Sequence, residues 1–360
     1  MEPLHIIFFG PVNSGKSTLV NALCGQEVSL VSPVPGTTTD PVRKRIELPL
    51  GIGPAVLVDT AGLDDTSRLG PERRRRTQAV MDEADIAVVL GDGETVEELL
   101  VTLGKAGIPA VRYHRDESID TLLQNVAAVL PRRQESFLTG ALVRSGDKVV
   151  LVMPQDSEAP KGRLILPQVQ VIRELLDRGC VPCCCTPETL ETALECAPTL
   201  VITDSQVFSR VNAALPADLP LTSFSVLLAA AKGDIRVFVE GAAAIDGLRD
   251  GDRVLIAEAC THVPDTEDIG RVKIPNLLRK RADVRAEIAA GNDFPEDLSP
   301  YALIIHCGAC VANKALVRSR TRKALLAGVP SPITGLPWRS CRGCLSGWSC
   351  PSPRTPRRSS

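Results

Sequence analysis

Gly10-Pro11-Val12-Asn13-Ser14-Gly15-Lys16-Ser17 follows the apolar run Ile6-Ile7-Phe8-Phe9 and leads into Thr18-Leu19-Val20. A buried strand, the spacing G-x-x-x-x-G-K-S and a helix in that order leave few folds open. Successive backbone N–H groups of such a turn point inward and form an anion nest, backed by the positive end of the helix dipole. Gly10, Asn13, Ser14, Gly15 and Thr18 are then placed around a phosphate chain. Lys16 reaches its β- and γ-phosphates, and the Ser17 hydroxyl takes Mg²⁺. The expected class is α/β.

At 360 residues the chain exceeds one ordinary core, so two or three domains are expected. A net charge of −2 and a pI near 6.2 give no basic footprint for nucleic acid. From Met1 the sequence runs straight into a strand without a leader-like apolar region, which reads as cytoplasmic. No apolar run approaches the roughly 18 residues of a membrane span. Twelve cysteines in such a chain point to metal or redox chemistry rather than disulfides.

Residues 1–131 read as one nucleotide domain. Pro35-Gly36-Thr37-Thr38-Thr39-Asp40-Pro41 is a polar loop, in which Thr38 is the best candidate to complete Mg²⁺ coordination and sense the γ-phosphate. The strand Ala55-Val56-Leu57-Val58 ends in Asp59-Thr60-Ala61-Gly62. Asp59 at that strand end can hold Mg²⁺ through water, and Gly62 lets the backbone close on the γ-phosphate. With Lys16 and Thr38, these are the candidate catalytic residues. In this order and spacing the elements resemble those of the translation-factor-related GTPases. Asn13 and the Gly-Thr-Thr-x-Asp element resemble the potassium-activated branch, which implies K⁺ on Asn13. The Asn-Lys-x-Asp that reads guanine in those proteins is absent. After the strand Ile108-Pro109-Ala110-Val111 stands His114-Arg115-Asp116-Glu117, in which Asp116 reads as a solvated loop acid. Poor discrimination of GTP from ATP is the expectation. Four consecutive arginines, 73–76, read as a solvated helix face.

Residues 132–222 alternate strands and helices. Val149–Met153 and Leu200–Asp204 are strand-like, and Leu164, Val169, Ile172, Leu175 and Leu176 recur at helical spacing. In Cys183-Cys184-Cys185 neighbouring side chains of an extended strand face opposite ways, so the run reads as part of a core strand. No chemical constellation falls here, which suits a dimerisation domain.

Residues 223–330 hold the second constellation. Arg253–Ala257 is a strand followed by Cys260-Thr261-His262, and Tyr301–Ile305 is a strand followed by His306-Cys307-Gly308-Ala309-Cys310. If the two strands are parallel neighbours, both groups converge at the carboxyl edge of one sheet. Three thiolates with one or two imidazoles suit Zn²⁺ or an iron–sulfur cluster equally.

Taken together, the motifs resemble the [FeFe]-hydrogenase maturation GTPases of HydF type. The matching stretches are Gly10–Ser17, Pro35–Pro41, Asp59–Asp65, Asp156–Leu164, Asp204-Ser205-Gln206, Cys260-x-His262, Asp268–Pro275 and His306-Cys307-x-x-Cys310. The resemblance implies a P-loop GTPase domain followed by two smaller α/β domains, for dimerisation and cluster binding, in a homodimer. It implies GTP, Mg²⁺ and K⁺, weak hydrolysis, and a [4Fe–4S] cluster on Cys260, Cys307 and Cys310. The fourth iron is then held by His262 or His306, or left to an exchangeable ligand. The implied role is that of a scaffold. It takes a transient diiron precursor from radical-SAM maturases and delivers it to apo-[FeFe]-hydrogenase, without nucleic acid or membrane. The competing reading is a zinc-containing GTPase switch acting on RNA or ribosomes.

Residues 331–360 change character: both tryptophans, many Pro, Ser and Arg, and no acidic residue. Such a mixture cannot make the apolar C-terminal helix that the resemblance implies. The expectation is a reading frame lost near Pro330, with Cys341, Cys344 and Cys350 accidental.

Overall fold

The computed structural model describes residues 3–25, 41–62, 80–130, 137–155, 162–258, 269–291, 293–307 and 312–334. Thr38, the arginine run, Cys260, His262, Cys310 and Cys341 onward lie outside the described residues. The chain divides into two compact units, Met1–Glu135 with Asn313–Arg322, and Ser136–Ala312 with Lys323–Ser360. No helix among the described residues is long and apolar enough to cross a membrane.

The first unit is built on a five-stranded sheet of β1 (Leu4–Phe9), β2 (Val42–Leu48), β3 (Gly53–Asp59), β4 (Ile86–Leu90) and β5 (Ala110–Tyr113). Their order is β2-β3-β1-β4-β5, parallel except for the antiparallel edge pair β2–β3. Central strands covered on both faces must be apolar throughout, and every residue of β4 is buried. The edge strand β2, Val-Arg-Lys-Arg-Ile-Glu-Leu, instead alternates half-buried and exposed positions up to the buried Leu48. Along β1, Ile6 and Phe8 join one core with Leu19, Val20, Leu122 and Val126. Ile7 and Phe9 face the other, with Val96, Leu99 and Leu103. The helices over these faces are α1 (Lys16–Cys24), α2 (Glu94–Ala106) and α3 (Ile119–Val129). Glu94 and Glu97 complement the positive end of α2, and the Ser118 hydroxyl caps α3 by accepting from Thr121 N.

The second unit holds two all-parallel sheets. One contains β6 (Lys148–Val152), β7 (Val181–Cys185), β8 (Leu200–Thr203) and β9 (Leu221–Ser223), in the order β7-β6-β8-β9. Cys183 and Cys185 pack toward its core while Cys184 is exposed, the alternation expected of a strand. The intervening helix α4 (Leu166–Asp177) lies within the stretch of helical spacing, but only part of its apolar set faces inward. It buries Pro167, Gln168, Val171 and Leu175, and leaves Val169 and Leu176 outside. The buried amide of Gln168 donates to Asp204 Oδ2 at 2.8 Å, and that bond orients the helix through a polar residue that a hydrophobic pattern ignores. The helix Phe224–Lys232 also belongs with this sheet, since Phe224 and Leu227 complete its core. A boundary at residue 222 therefore falls too early.

The other sheet has the order β11-β10-β12, with β10 (Arg253–Glu258), β11 (Arg285–Ala290) and β12 (Leu303–Cys307). Pro330–Thr334 runs beside β12. Ile304 N donates to Pro330 O, His306 N to Pro332 O, and Thr334 N to His306 O at 2.8 Å. Ser331 and Ile333 are buried. A Cβ on Gly241 would stand 2.6 Å from Pro332 N, so that glycine admits the segment's backbone. The domain thus continues through Thr334, past the Pro330 boundary set by composition.

Candidate functional site

Between β1 and α1 the backbone takes left-handed angles at Asn13 (φ 59°) and Gly15 (φ 97°). The turn is closed by Ser14 N to Pro11 O at 3.3 Å and Leu19 N to Gly15 O at 2.9 Å. Gly10, Asn13, Ser14, Gly15, Lys16, Ser17 and Thr18 are thereby gathered at one end of the sheet. Lys16 is 6% exposed, and its ammonium donates to Gly10 O at 3.0 Å, Pro11 O at 2.7 Å and Ser14 Oγ at 3.4 Å.

Asp59, at the carboxyl end of β3 and fully buried, accepts from the Ser17 hydroxyl at 2.6 Å. Two oxygen donors so close together, one of them anionic, fit a hard divalent cation. Thr60 anchors the turn after β3 by donating to Phe8 O at 2.6 Å. Gly62 then runs directly over the phosphate loop, where a Cβ would lie 2.7 Å from Val12 N. Neither backbone can yield cheaply. Gly62→Ala is therefore expected to weaken binding of a triphosphate analogue at least about tenfold, roughly 1.4 kcal/mol, while diphosphate affinity changes less. Titration of the two nucleotides by calorimetry checks this.

In the loop after β5, Asp116 is exposed, as its loop position predicts. Its neighbour Arg115, which motif reasoning passed over, bonds to the phosphate loop through the carbonyl oxygens of Ser14 and Asn13. No spacing rule links positions about a hundred residues apart.

In the second unit, β10 and β12 are parallel neighbours and Glu258 stands in register with Cys307. Cys260 follows Glu258 by two residues, so both cysteine segments leave the same carboxyl edge from adjacent strands about 5 Å apart. The donor set suits an iron–sulfur cluster in chemistry and in the roots of its segments. Among the described residues alone, no three His, Cys, Asp or Glu side chains group to hold a metal. Beside that edge Glu258 is 3% exposed and paired with Arg271 (Oε2–Nε 3.1 Å).

His306 and Cys307 face opposite sides of β12. Cys307 packs with Ile305 and Leu303 on one core. His306 is buried between Phe294, stacked at 6.5 Å, and Phe238, edge-on at 6.4 Å. Its Nε2 lies 2.6 Å from Ser331 Oγ.

The first unit's sheet, phosphate loop and Ser17–Asp59 pair define a P-loop GTPase fold. A family model described as "50S ribosome-binding GTPase" matches residues 5–125. Two more match further along: "Hydrogen maturase F dimerization domain" over 138–233 and "Hydrogen maturase F tetramerization domain" over 236–346. The chain belongs to the HydF-type hydrogen maturase GTPases, which are related to the TrmE–Era group.

Curated relatives include the tRNA modification GTPase MnmE of Acidiphilium cryptum, 42% identical over 114 residues, 31% of this chain and 25% of that one. That of Zymomonas mobilis is 34% identical over 182 residues, 49% of this chain and 39% of that one. The chain thus spans well under half the length of these relatives. Among solved structures, Era in complex with MgGDPNP and 16S ribosomal RNA aligns at TM-score 0.29 and 16% identity, over 81% of this chain and 94% of that one. NFeoB from S. thermophilus bound to GDP.AlF4⁻ and K⁺ aligns at TM-score 0.22 and 16% identity, over 35% of this chain and 61% of that one.

Proposed function

We propose that this protein is a GTP-binding scaffold that hydrolyses GTP slowly and carries an iron–sulfur cluster for [FeFe]-hydrogenase maturation. The observation that carries the reading is the parallel register of β10 and β12, with Cys307 opposite Glu258. In a chain with hydrogen maturase F domains, that edge favours the cluster over zinc. Cys260, Cys307 and Cys310 are the ligands. His306 bonds Ser331 through Nε2, a bond of the kind that metal-ligating histidines make with their other ring nitrogen, so the fourth iron falls to His262, His306 or an exchangeable ligand. A weakly held position lets a diiron precursor, the cargo, attach and leave.

In the first unit, Lys16 exchanges the neutral oxygens of Gly10, Pro11 and Ser14 for phosphate oxygens. Ser17 and Thr38 would hold Mg²⁺ directly and Asp59 through water, and the ion would supply charge to offset that developing on the phosphates. Asn13 is the K⁺ ligand. Radical-SAM maturases are the donors of the precursor and apo-[FeFe]-hydrogenase its acceptor, in the cytoplasm. Transfer of hydrogenase activity to the apo-enzyme by the loaded protein tests the role; a loaded protein that never activates it would refute the role.

Self-association is assigned to α4 and its neighbouring edge strand. Leu166, Val169 and Leu176 lie at helical spacing on one face and are 55%, 47% and 51% exposed, and Val181 on β7 is 50% exposed. That much exposed aliphatic surface is costly unless covered. Val169→Glu is expected to convert a homodimer to monomer at micromolar concentration, read by light scattering; an unchanged mass would put the interface elsewhere.

A further inference from the structure

We infer that Arg115 is a positioning residue that braces the phosphate loop from behind, in place of the missing base-reading segment. The inference rests on the nucleotide-binding reading above. Arg115 stands two residues beyond β5, and its guanidinium reaches two consecutive loop carbonyls. Nε donates to Ser14 O at 3.0 Å and Nη2 donates to Asn13 O. It also lies flat against Gly15, where an added Cβ would be 3.4 Å from Nε and 3.5 Å from Nη2.

The physical reason for such a contact lies in the loop itself. A nest whose N–H groups turn toward an anion must turn carbonyls the other way. Asn13 does so in a left-handed conformation, which asparagine tolerates better than most side-chain-bearing residues. Two donors of one rigid fork fix both carbonyl directions at once, which a flexible single-point cation cannot do. The guanidinium also adds positive charge beside a site for phosphates. Because the contact is to backbone, it acts on the phosphate cradle and not on the choice of base.

Affinities of Mg²⁺ complexes of fluorescent GDP and ADP are measured for the full chain, Arg115→Ala, Arg115→Lys and Arg115→Gln. Amide exchange of residues 11–16 is followed alongside. Arg115→Ala is expected to bind both nucleotides about tenfold more weakly, with faster exchange confined to that segment. In hydrolysis it raises KM and leaves kcat within twofold, and Arg115→Lys recovers part of the loss. Wild-type binding by both the Ala and Gln variants would overturn the inference, as would a loss confined to the guanine nucleotide. Exchange raised across the whole unit would also overturn it, by showing a general structural role. Failure of the unsubstituted protein to bind any nucleotide would instead sink the nucleotide reading on which the inference stands.

Discussion

Lys16→Ala is expected to lower nucleotide hydrolysis by about two to three orders of magnitude, roughly 3–4 kcal/mol, the usual cost of removing one preorganised charge partner from a phosphoryl-transfer site. Lys16 is nearly buried and its ammonium is ringed by oxygen acceptors of its own loop. Alanine therefore removes charge from a place that water does not freely refill. The fold should survive, because the apolar core of β1 and α1 is supplied by Ile6, Phe8, Leu19 and Val20. Iron content should also survive, since the loop and the Cys307 edge lie in different compact units. Hydrolysis and iron assays on the same preparation check both halves; joint loss would contradict the modular reading.

The second large effect concerns the cysteine edge. Cys307→Ser is expected to remove essentially all iron, because an alcohol at that position stays protonated and is a poor ligand for iron. His306→Ala, one residue away, should behave differently. It loses the Ser331 bond and the contacts with Phe238 and Phe294. It should cost stability, about 2 kcal/mol, seen as a lower thermal midpoint, while the three thiolates keep the iron content; the spectrum of the reduced cluster reports whether His306 holds the fourth iron. A changed spectrum in the alanine variant would identify His306 as a ligand, and an unchanged one would leave His262 or an exchangeable ligand. An unchanged cluster in the serine variant would remove Cys307 from the ligand set.

Much of this was legible because local constraints were strong. The phosphate loop needs a strand, a turn with left-handed positions and a helix, and Ile6–Phe9, Gly15 and Thr18–Val20 announce each part. The two apolar runs marked β10 and β12 as strands covered on both faces, but their parallel pairing, a condition in the sequence, came from the structure. The inward face of α4 was not legible from apolar spacing, because Gln168, a polar residue, is buried with its bond to Asp204, whereas Val169 and Leu176 face outward. The end of the last domain was misplaced for a different reason. Pro330–Thr334 joins β12 through main-chain bonds, which composition does not register. Arg115 was invisible because its contact spans about a hundred residues and targets backbone carbonyls.

The most direct test is the metal and acid-labile sulfide content of full-length protein purified without oxygen, read with its visible spectrum. The account predicts about four irons and four sulfides per chain, with a broad thiolate-to-iron absorption that Cys307→Ser abolishes. One zinc per chain without sulfide would contradict it.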